Sequence, residues 1–129
     1  MPIDYRFVPE HDLVVMTFAG KVTNEDLLEH GRRIVDDASI PEPHVELADL
    51  RSVEELEVSV EAISSLICLE RSGPRSGTSK LAIVAPGDQA FGVSSLYKVQ
   101  NAPHRPSIAV FRTLEEATEW LGVPLNGPG

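Results

Sequence analysis

The chain has 129 residues, of which 42% are hydrophobic and 24% charged, the composition of one globular domain rather than of a disordered chain. It contains no apolar run near the roughly 20 residues of a membrane span, and a single cysteine, Cys68, excludes an internal disulfide. The net charge of −9 makes nucleic acid an unfavourable partner, because an acidic surface repels phosphate.

The N-terminal segment predicts an antiparallel hairpin. Ile3, Tyr5 and Phe7 alternate with polar residues, which is the period-2 pattern of a half-buried strand. The turn-forming residues 9–12 follow, and the apolar run from Leu13 to Ala19 predicts the second strand. A connection this short is typical of neighbouring antiparallel strands.

The first helix has a strong start signal. Thr23 is placed to cap it, with Asp26 at the third helical position as the reciprocal partner of a capping box. Val22 and Leu27 are spaced as a hydrophobic staple. The predicted apolar stripe consists of Leu27, Leu28, Ile34, Val35 and Ala38, and the prolines that follow Ile40 end the segment.

A short third strand is predicted from Val45 to Leu50, followed by a charged connection and a second helix from about Val58 to Arg71. The predicted buried face of that helix contains Val60, Ile63, Leu66 and Ile67, widened by Ala62, Cys68 and Leu69. Residues 72–79 are a polar loop rich in glycine and serine.

The last third of the chain repeats the strand–helix alternation. Leu81 to Ala85 is nearly all apolar, as expected of a strand covered on both faces, and a weakly amphipathic helix follows from about Gln89 to Gln100. Ile108 to Phe111 predicts the fifth strand. Thr113 and Glu116 have the spacing of a capping box for the last helix, and Gly122 suits its C-terminus.

The resulting order is β-β-α-β-α-β-α-β-α. Strands that alternate with helices predict a mainly parallel five-stranded sheet with helices on both faces, and the first strand is the expected antiparallel edge. We therefore expect a single α/β domain over residues 1–122 and a flexible C-terminal tail over residues 123–129.

This order resembles the STAS domain, specifically its SpoIIAA-like branch. Four segments carry the resemblance: Gly20-Lys21-Val22-Thr23, Ala48-Asp49-Leu50, Leu81 to Ala85, and the strand–helix run from Val110 to Leu121. The resemblance implies a non-enzymatic regulatory or protein-interaction module that needs no cofactor.

The same resemblance implies a phosphorylation candidate. Counting from Asp49, the family's phosphorylatable serine falls on Ser59, although Glu57, Val58 and Val60 replace the small and acidic residues of the family motif. A phosphate there would gain from the helix N-terminus and lose from the surrounding glutamates. The alternative is a serine that only caps the helix.

The acids are concentrated in the first part of the chain. Residues 1–70 carry sixteen acids and five bases, whereas residues 71–129 carry four acids and six bases. We therefore expect the acidic face around residues 46–61 to meet a protein partner with a basic surface, through Asp49, Glu54, Glu55 and Glu57. The alternative is that these charges only solvate the surface.

A second functional hypothesis is a module that binds a small apolar ligand or lipid. The weak third helix predicts a cleft between Phe91, Leu96, Tyr97 and Trp120, since SpoIIAA-like chains are also similar to CRAL-TRIO lipid-binding domains. Asp88 would face the ligand at the strand ends, where open α/β sheets bind theirs.

No pattern in the sequence predicts catalysis. Cys68 has no activating histidine nearby and is expected to pack as a small hydrophobe, and the four histidines lack a metal-ligand spacing. We expect no enzyme, cofactor or metal site. A lone cysteine and an N-terminus without a secretory signal predict a cytoplasmic protein, and the free sheet edge makes a homodimer plausible.

Overall fold

The computed structural model describes residues 2–72 and 80–124. Within them the elements are β1 (Ile3–Val8), a 3-10 turn (Pro9–His11), β2 (Leu13–Thr23), α1 (Asn24–Asp36), β3 (Val45–Glu57), α2 (Val60–Ser72), β4 (Leu81–Val84), α3 (Asp88–Asn101), β5 (Ile108–Phe111) and α4 (Leu114–Leu121). The predicted order is confirmed. Most of the polar loop between α2 and β4 lies outside the described residues.

The five strands form one sheet in the order β1-β2-β3-β4-β5. β1 pairs antiparallel with β2, and the three other pairs are parallel, each joined by a helix. The predicted mainly parallel sheet and its antiparallel edge strand are confirmed.

The helices cover both faces of the sheet unequally. Val14 and Met16 point to a face covered by α1, α2 and α3, whereas Leu13 and Val15 point to a face covered by α4. Successive strand residues alternate between faces, so β4, which lies under helices on both sides, is apolar at every position.

The prediction for the third strand was too short. β3 runs to Glu57 and β2 runs to Thr23, so the two strands continue together beyond the last β3–β4 pair, Asp49 with Val84. We call residues 19–23 and 52–57 the β2–β3 ribbon. Alternation explains its charged sequence, because Leu56 is buried in the core whereas Glu57 is exposed. Gly20 allows the irregular pairing at the start of the ribbon, with a left-handed φ of 67°.

The predicted start of α1 is confirmed. The Thr23 hydroxyl accepts a hydrogen bond from the Asp26 N–H at 3.2 Å, and the Asp26 carboxylate accepts one from the Thr23 N–H at 2.9 Å. Val22 and Leu27 are both buried. The sequence did not predict that His30 and Gly31 are buried as well.

Helix α2 turns the predicted face to the core, with two exceptions. Ala62, Ile63, Leu66 and Ile67 are buried, but Val60 is 53% exposed and Cys68 is exposed too. The expectation that Cys68 packs as a small hydrophobe was therefore wrong. Cys68 lies outside the buried face of α2, which Ala62, Ile63, Leu66 and Ile67 form.

Helices α3 and α4 differ in detail from their predictions. In α3, Val99 is 69% exposed, and the buried positions include the polar Ser94 and Asn101. At α4 the Thr113 hydroxyl accepts a hydrogen bond from the Glu116 N–H, but the Glu116 carboxylate binds that hydroxyl at 3.0 Å instead of completing the capping box.

The C-terminal boundary lies later than predicted. Gly122 ends α4 with a left-handed φ of 74°. Val123 donates a backbone hydrogen bond to the Thr118 carbonyl at 3.0 Å and is buried beside α4, so it is part of the core and not of the tail. The remaining predicted tail, residues 125–129, lies outside the described residues.

Candidate functional site

A cavity of about 90 Å³ lies between the sheet and helices α1, α2 and α3. Its walls are mostly apolar side chains from the core, among them Met16, Phe18, Leu50, Ile63, Leu66 and Ile83. An apolar cavity of about 150 Å³ in another protein holds benzene, so by proportion this one fits about four heavy atoms.

The polar part of the lining begins with a carboxyl–phenol pair. The Tyr97 hydroxyl of α3 donates a hydrogen bond of 2.6 Å to Oε1 of Glu70, the carboxyl group that α2 contributes. The described residues form no hydrogen bond to Oε2 of Glu70. Burial raises the pKa of Glu70 to about 7 and also raises the pKa of Tyr97. Glu70 therefore changes charge near neutral pH.

A second carboxyl group in the lining is held as an anion. Arg105 donates to Oε1 of Glu46 at 2.8 Å, and His44 Nε2 lies 2.9 Å from Oε2. Burial by itself raises the pKa of Glu46, but the charge of Arg105 and the hydrogen bonds from His44 and Arg105 outweigh it and lower that pKa to about 2. Both oxygens of Glu46 are thus occupied.

His44 is the third member of this network. Its two ring nitrogens face acceptors: Nε2 faces Glu46, and Nδ1 lies 3.0 Å from the Pro41 carbonyl and 2.8 Å from Glu42. The hydrogen bond to Glu46 raises the pKa of His44, against the opposing effect of burial. Since an imidazolium has two donors, this geometry fits the protonated ring.

His30 supplies a buried nitrogen without a partner. The residue is 5% exposed, and Nδ1 has no hydrogen-bond partner among the described residues. Nε2 lies 3.3 Å from the thioether sulfur of Met16, which can only accept, so we place the ring proton on Nε2 and a bare lone pair on Nδ1. Burial lowers the pKa of His30 to about 4, which keeps the ring neutral.

These side chains give the cavity a specific chemical character. Its walls are mostly apolar. Its polar lining residues include Glu70, whose Oε2 accepts when the carboxyl group is ionised, His30, whose Nδ1 has no partner among the described residues, and Ser94, whose hydroxyl can accept or donate. Such a site can enclose a small apolar molecule that carries a donor group.

The predicted ligand residues do not share one cleft. Tyr97 lines the cavity, but Trp120 lies on the opposite face of the sheet. The centroid of its ring is 5.8 Å from the centroid of the Phe111 ring. Phe91 is half-buried beneath the guanidinium of Arg112, and Leu96 is outside the cavity lining.

Asp88 also lies away from the cavity. It is in the first turn of α3, its side chain is 97% exposed, and it forms an ion pair of 2.9 Å with Arg112. A salt bridge with this exposure contributes little stability, and the carboxylate is not directed at an enclosed ligand.

The predicted partner face lies largely on the β2–β3 ribbon. Glu54, Glu55 and Glu57 are exposed there, and Lys21 lies 3.4 Å from Glu57. Asp49 differs from them, because it lies before the ribbon, is half-buried and accepts two hydrogen bonds of 3.0 and 2.9 Å from the Arg51 side chain.

Ser59 stands at the N-cap of α2. Its hydroxyl accepts hydrogen bonds from the Ala62 N–H at 3.1 Å and from the Asn24 side-chain amide at 3.2 Å. Its own N–H donates to Asn24 Oδ1 at 2.9 Å, so the residue ties together the starts of α1 and α2. Phosphorylation of Ser59 stays a prediction.

Sequence reasoning missed polar residues of the cavity lining, His30, Glu46 and Glu70, and it also missed Arg105, which binds Glu46 from outside the lining. Their signal was a charged or polar residue at a position whose neighbours face the core. His30 follows Leu27 by three positions on α1, and Glu46 lies between apolar residues of β3. The described residues contain no group of three or more histidine, cysteine, aspartate or glutamate side chains that could hold a metal ion. None of the described helices is long and apolar enough to cross a membrane.

Comparison with known proteins identifies the architecture. No protein-family model and no curated protein matches the chain. Among solved structures, it is similar to an uncharacterized protein of the DUF3478 family with a SpoIIAA-like fold, from Shewanella loihica PV-4. The two are 20% identical with a TM-score of 0.56, and the match covers 92% of this chain and 91% of the other. Together with the order of its strands and helices, this likeness shows that the chain has the SpoIIAA-like fold.

Proposed function

We propose that this protein is a non-enzymatic binding module that holds a small apolar molecule in the cavity between its sheet and helices α1–α3. The observation that carries the proposal is a cavity of about 90 Å³ with apolar walls and an unpartnered nitrogen on His30. A buried acceptor left without a partner costs roughly 1–3 kcal/mol, and a ligand that donates to it recovers part of that cost.

The size of the cavity sets the first experiment. Xenon enters dry apolar cavities, so titration of the labelled chain with xenon should shift the backbone amide signals of residues around the cavity. Ala48→Val adds two methyl groups to the lining and should abolish those shifts. Ala109→Val, the same change at a half-buried position of β5 outside the lining, should retain them. Equal shifts in both variants would contradict the proposal.

A second function is favoured by the β2–β3 ribbon. It extends past the end of β4 and presents Glu54, Glu55 and Glu57 to solvent, which suits a regulatory contact with a basic protein surface. This role is the interaction module that the SpoIIAA-like resemblance implies.

The ribbon is tested by charge removal. The triple variant E54Q/E55Q/E57Q should lose proteins that the natural chain captures from native lysate at low salt. The control E10Q/E29Q/E119Q removes three exposed acids elsewhere and should retain them. Equal loss in both variants would show that net charge, and not the ribbon, accounts for capture.

We also propose that the protein self-associates, that Ser59 is phosphorylated and that the protein is located in the cytoplasm. The outer edge of β1 has no neighbouring strand within the described sheet, so it is where we expect a second copy to pair, and sedimentation at increasing concentration tests this. Ser59 is the proposed phosphorylation site, which mass spectrometry of the natural protein tests. A free, exposed Cys68 suits the reducing cytoplasm.

A further inference from the structure

Most polar atoms around the cavity can accept a hydrogen bond from a ligand. Glu46 and Glu70 contribute carboxyl groups to the lining, and His30 contributes its ring, whose Nδ1 has no partner among the described residues. Two neighbouring donors are already engaged, because the Tyr97 hydroxyl donates to Glu70 and Arg105 donates to Glu46. The Ser94 hydroxyl, which also lines the cavity, can accept as well as donate. The cavity therefore offers acceptors to an entering molecule.

The basic side chains near the cavity do not make it favourable for an anionic ligand. Neither Arg105 nor His44 is part of the lining, and each is held against an oxygen of Glu46. Glu70 is bound by Tyr97 at one oxygen alone, so its other oxygen remains for a ligand. An anionic ligand would place a like charge beside both carboxyl groups.

We infer that the ligand is a small aliphatic amine, bound as its ammonium ion with the charge against Glu70 and the alkyl chain against the apolar walls. An ammonium group has only donors, and the Glu70 carboxylate and the Ser94 hydroxyl of the lining can both accept from it. The inference rests on the proposed binding function and specifies the chemical class of its ligand. The volume of about 90 Å³ limits the chain to about four heavy atoms, the size of n-propylamine.

The proton on Glu70 makes binding depend on pH. The groups that face Glu70 are Tyr97 of α3, Arg105 beyond that helix and Glu46 of β3. Because burial raises the pKa of Glu70 to about 7, an ammonium ion must displace its proton below that pH. An aliphatic amine stays charged throughout, since its pKa is near the value of about 10.4 for lysine. Affinity should therefore fall about tenfold between pH 8 and pH 6.

The test compares three probes of similar size in an amine-free phosphate buffer. The full chain is titrated with n-propylamine, 1-propanol and propionate at pH 8, and binding is followed by amide chemical shifts. Propylamine should bind about tenfold more tightly than 1-propanol, because a charge-assisted hydrogen bond is roughly twice as strong as a neutral one. Propionate should not bind.

Glu70→Gln isolates the carboxyl group. Glutamine keeps an oxygen for the Tyr97 hydroxyl and removes the charge, so propylamine affinity should fall about tenfold and its pH dependence should be lost. Affinity for 1-propanol should be unchanged. Glu61→Gln, an exposed substitution on the same helix, should behave like the natural chain.

The outcomes separate the two proposals. If 1-propanol and xenon bind but propylamine binds no better than 1-propanol, the cavity is a binding site and the amine inference is wrong. Tightest binding by propionate would also show that the amine inference is wrong. If no probe, xenon included, shifts the signals of cavity residues, both proposals are wrong.

Discussion

Single residues decide the electrostatics of this protein. Glu46 is ionised inside the fold because Arg105 and His44 bind both of its oxygens, and the side chains of Arg105 and His44 are only 12% and 2% exposed. Asp49 and Arg51, three and five positions further along β3, form a pair of similar length, in which the arginine side chain is 42% exposed and the Asp49 side chain 15%. The same chemistry has different energetic weight in the two places.

We predict that Glu46→Ala lowers the free energy of unfolding by about 3–5 kcal/mol, because it leaves a buried arginine and histidine without their carboxylate. Asp49→Ala, the matched control, should cost about 0–1 kcal/mol. Urea unfolding at pH 7 measures both. Similar losses in the two variants would show that burial does not strengthen the Glu46 network.

His30 makes a separate prediction about pH. Its pKa is about 4 in the folded protein against an ordinary value of 6.5, so the unfolded chain takes up its proton first as the pH falls. The contribution of a neutral His30 is complete above pH 6.5 and is lost between pH 6.5 and 4, by about 3 kcal/mol. In His30→Leu that part of the acid sensitivity should be absent. Urea unfolding at pH 7 and pH 4 checks this, and an equal loss in variant and natural chain would contradict it.

At the scale of elements, the contact between α1 and α2 depends on one glycine. A methyl group added at Gly31 would lie 2.6 Å from Cδ1 of Leu66, which is itself buried against the sheet. The two helices approach closely because α1 has no side chain at that position. This contact also positions His30 and Leu66, which line the cavity from neighbouring helices.

We predict that Gly31→Ala destabilises the protein by about 1–3 kcal/mol, because the buried Leu66 must shift within a packed core. Gly92→Ala in α3 is the control, since a methyl group there meets no described atom within 4 Å. It should stabilise the protein by roughly 0.5–1 kcal/mol through helix propensity. Thermal unfolding of the two variants measures the difference, and a stabilised Gly31→Ala would disprove the close contact.

At the scale of the whole molecule, two buried groups on one cavity respond to pH in opposite directions. Glu70 has a folded pKa of about 7 against an ordinary value of 4.5, so its contribution is complete below pH 4.5 and is lost as the pH rises to 7. His30 contributes most at high pH and loses that contribution as the pH falls. Their effects oppose each other between pH 4.5 and 6.5.

We predict that Glu70→Gln changes the shape of the stability curve. Without the glutamate, stability should rise more steeply from pH 4.5 to pH 6.5 than in the natural chain, because the effect of His30 is no longer opposed. The surface variant Glu61→Gln should leave the curve unchanged. Urea unfolding at a series of pH values measures this, and parallel curves for Glu70→Gln and the natural chain would refute it.

The fold was more predictable than the cavity. The Thr23–Asp26 capping box and the alternation of apolar residues in β1 are local patterns, and the structure confirms both. The ribbon was missed because Glu54, Glu55 and Glu57 have low strand propensity, and only pairing with β2 makes them a strand. Trp120 was placed in the wrong group, since the sequence does not show on which face of the sheet a helix packs.

The sequence by itself determined the order of strands and helices, the mainly parallel sheet and the concentration of acids in residues 1–70, because hydrophobic periodicity, helix caps and charge are properties of neighbouring residues. Tertiary structure alone decided the cavity and its chemistry. Glu46, Glu70, His30 and Tyr97 come from four different elements, and their pKa values depend on burial and on partners distant in sequence. No local pattern contains that information.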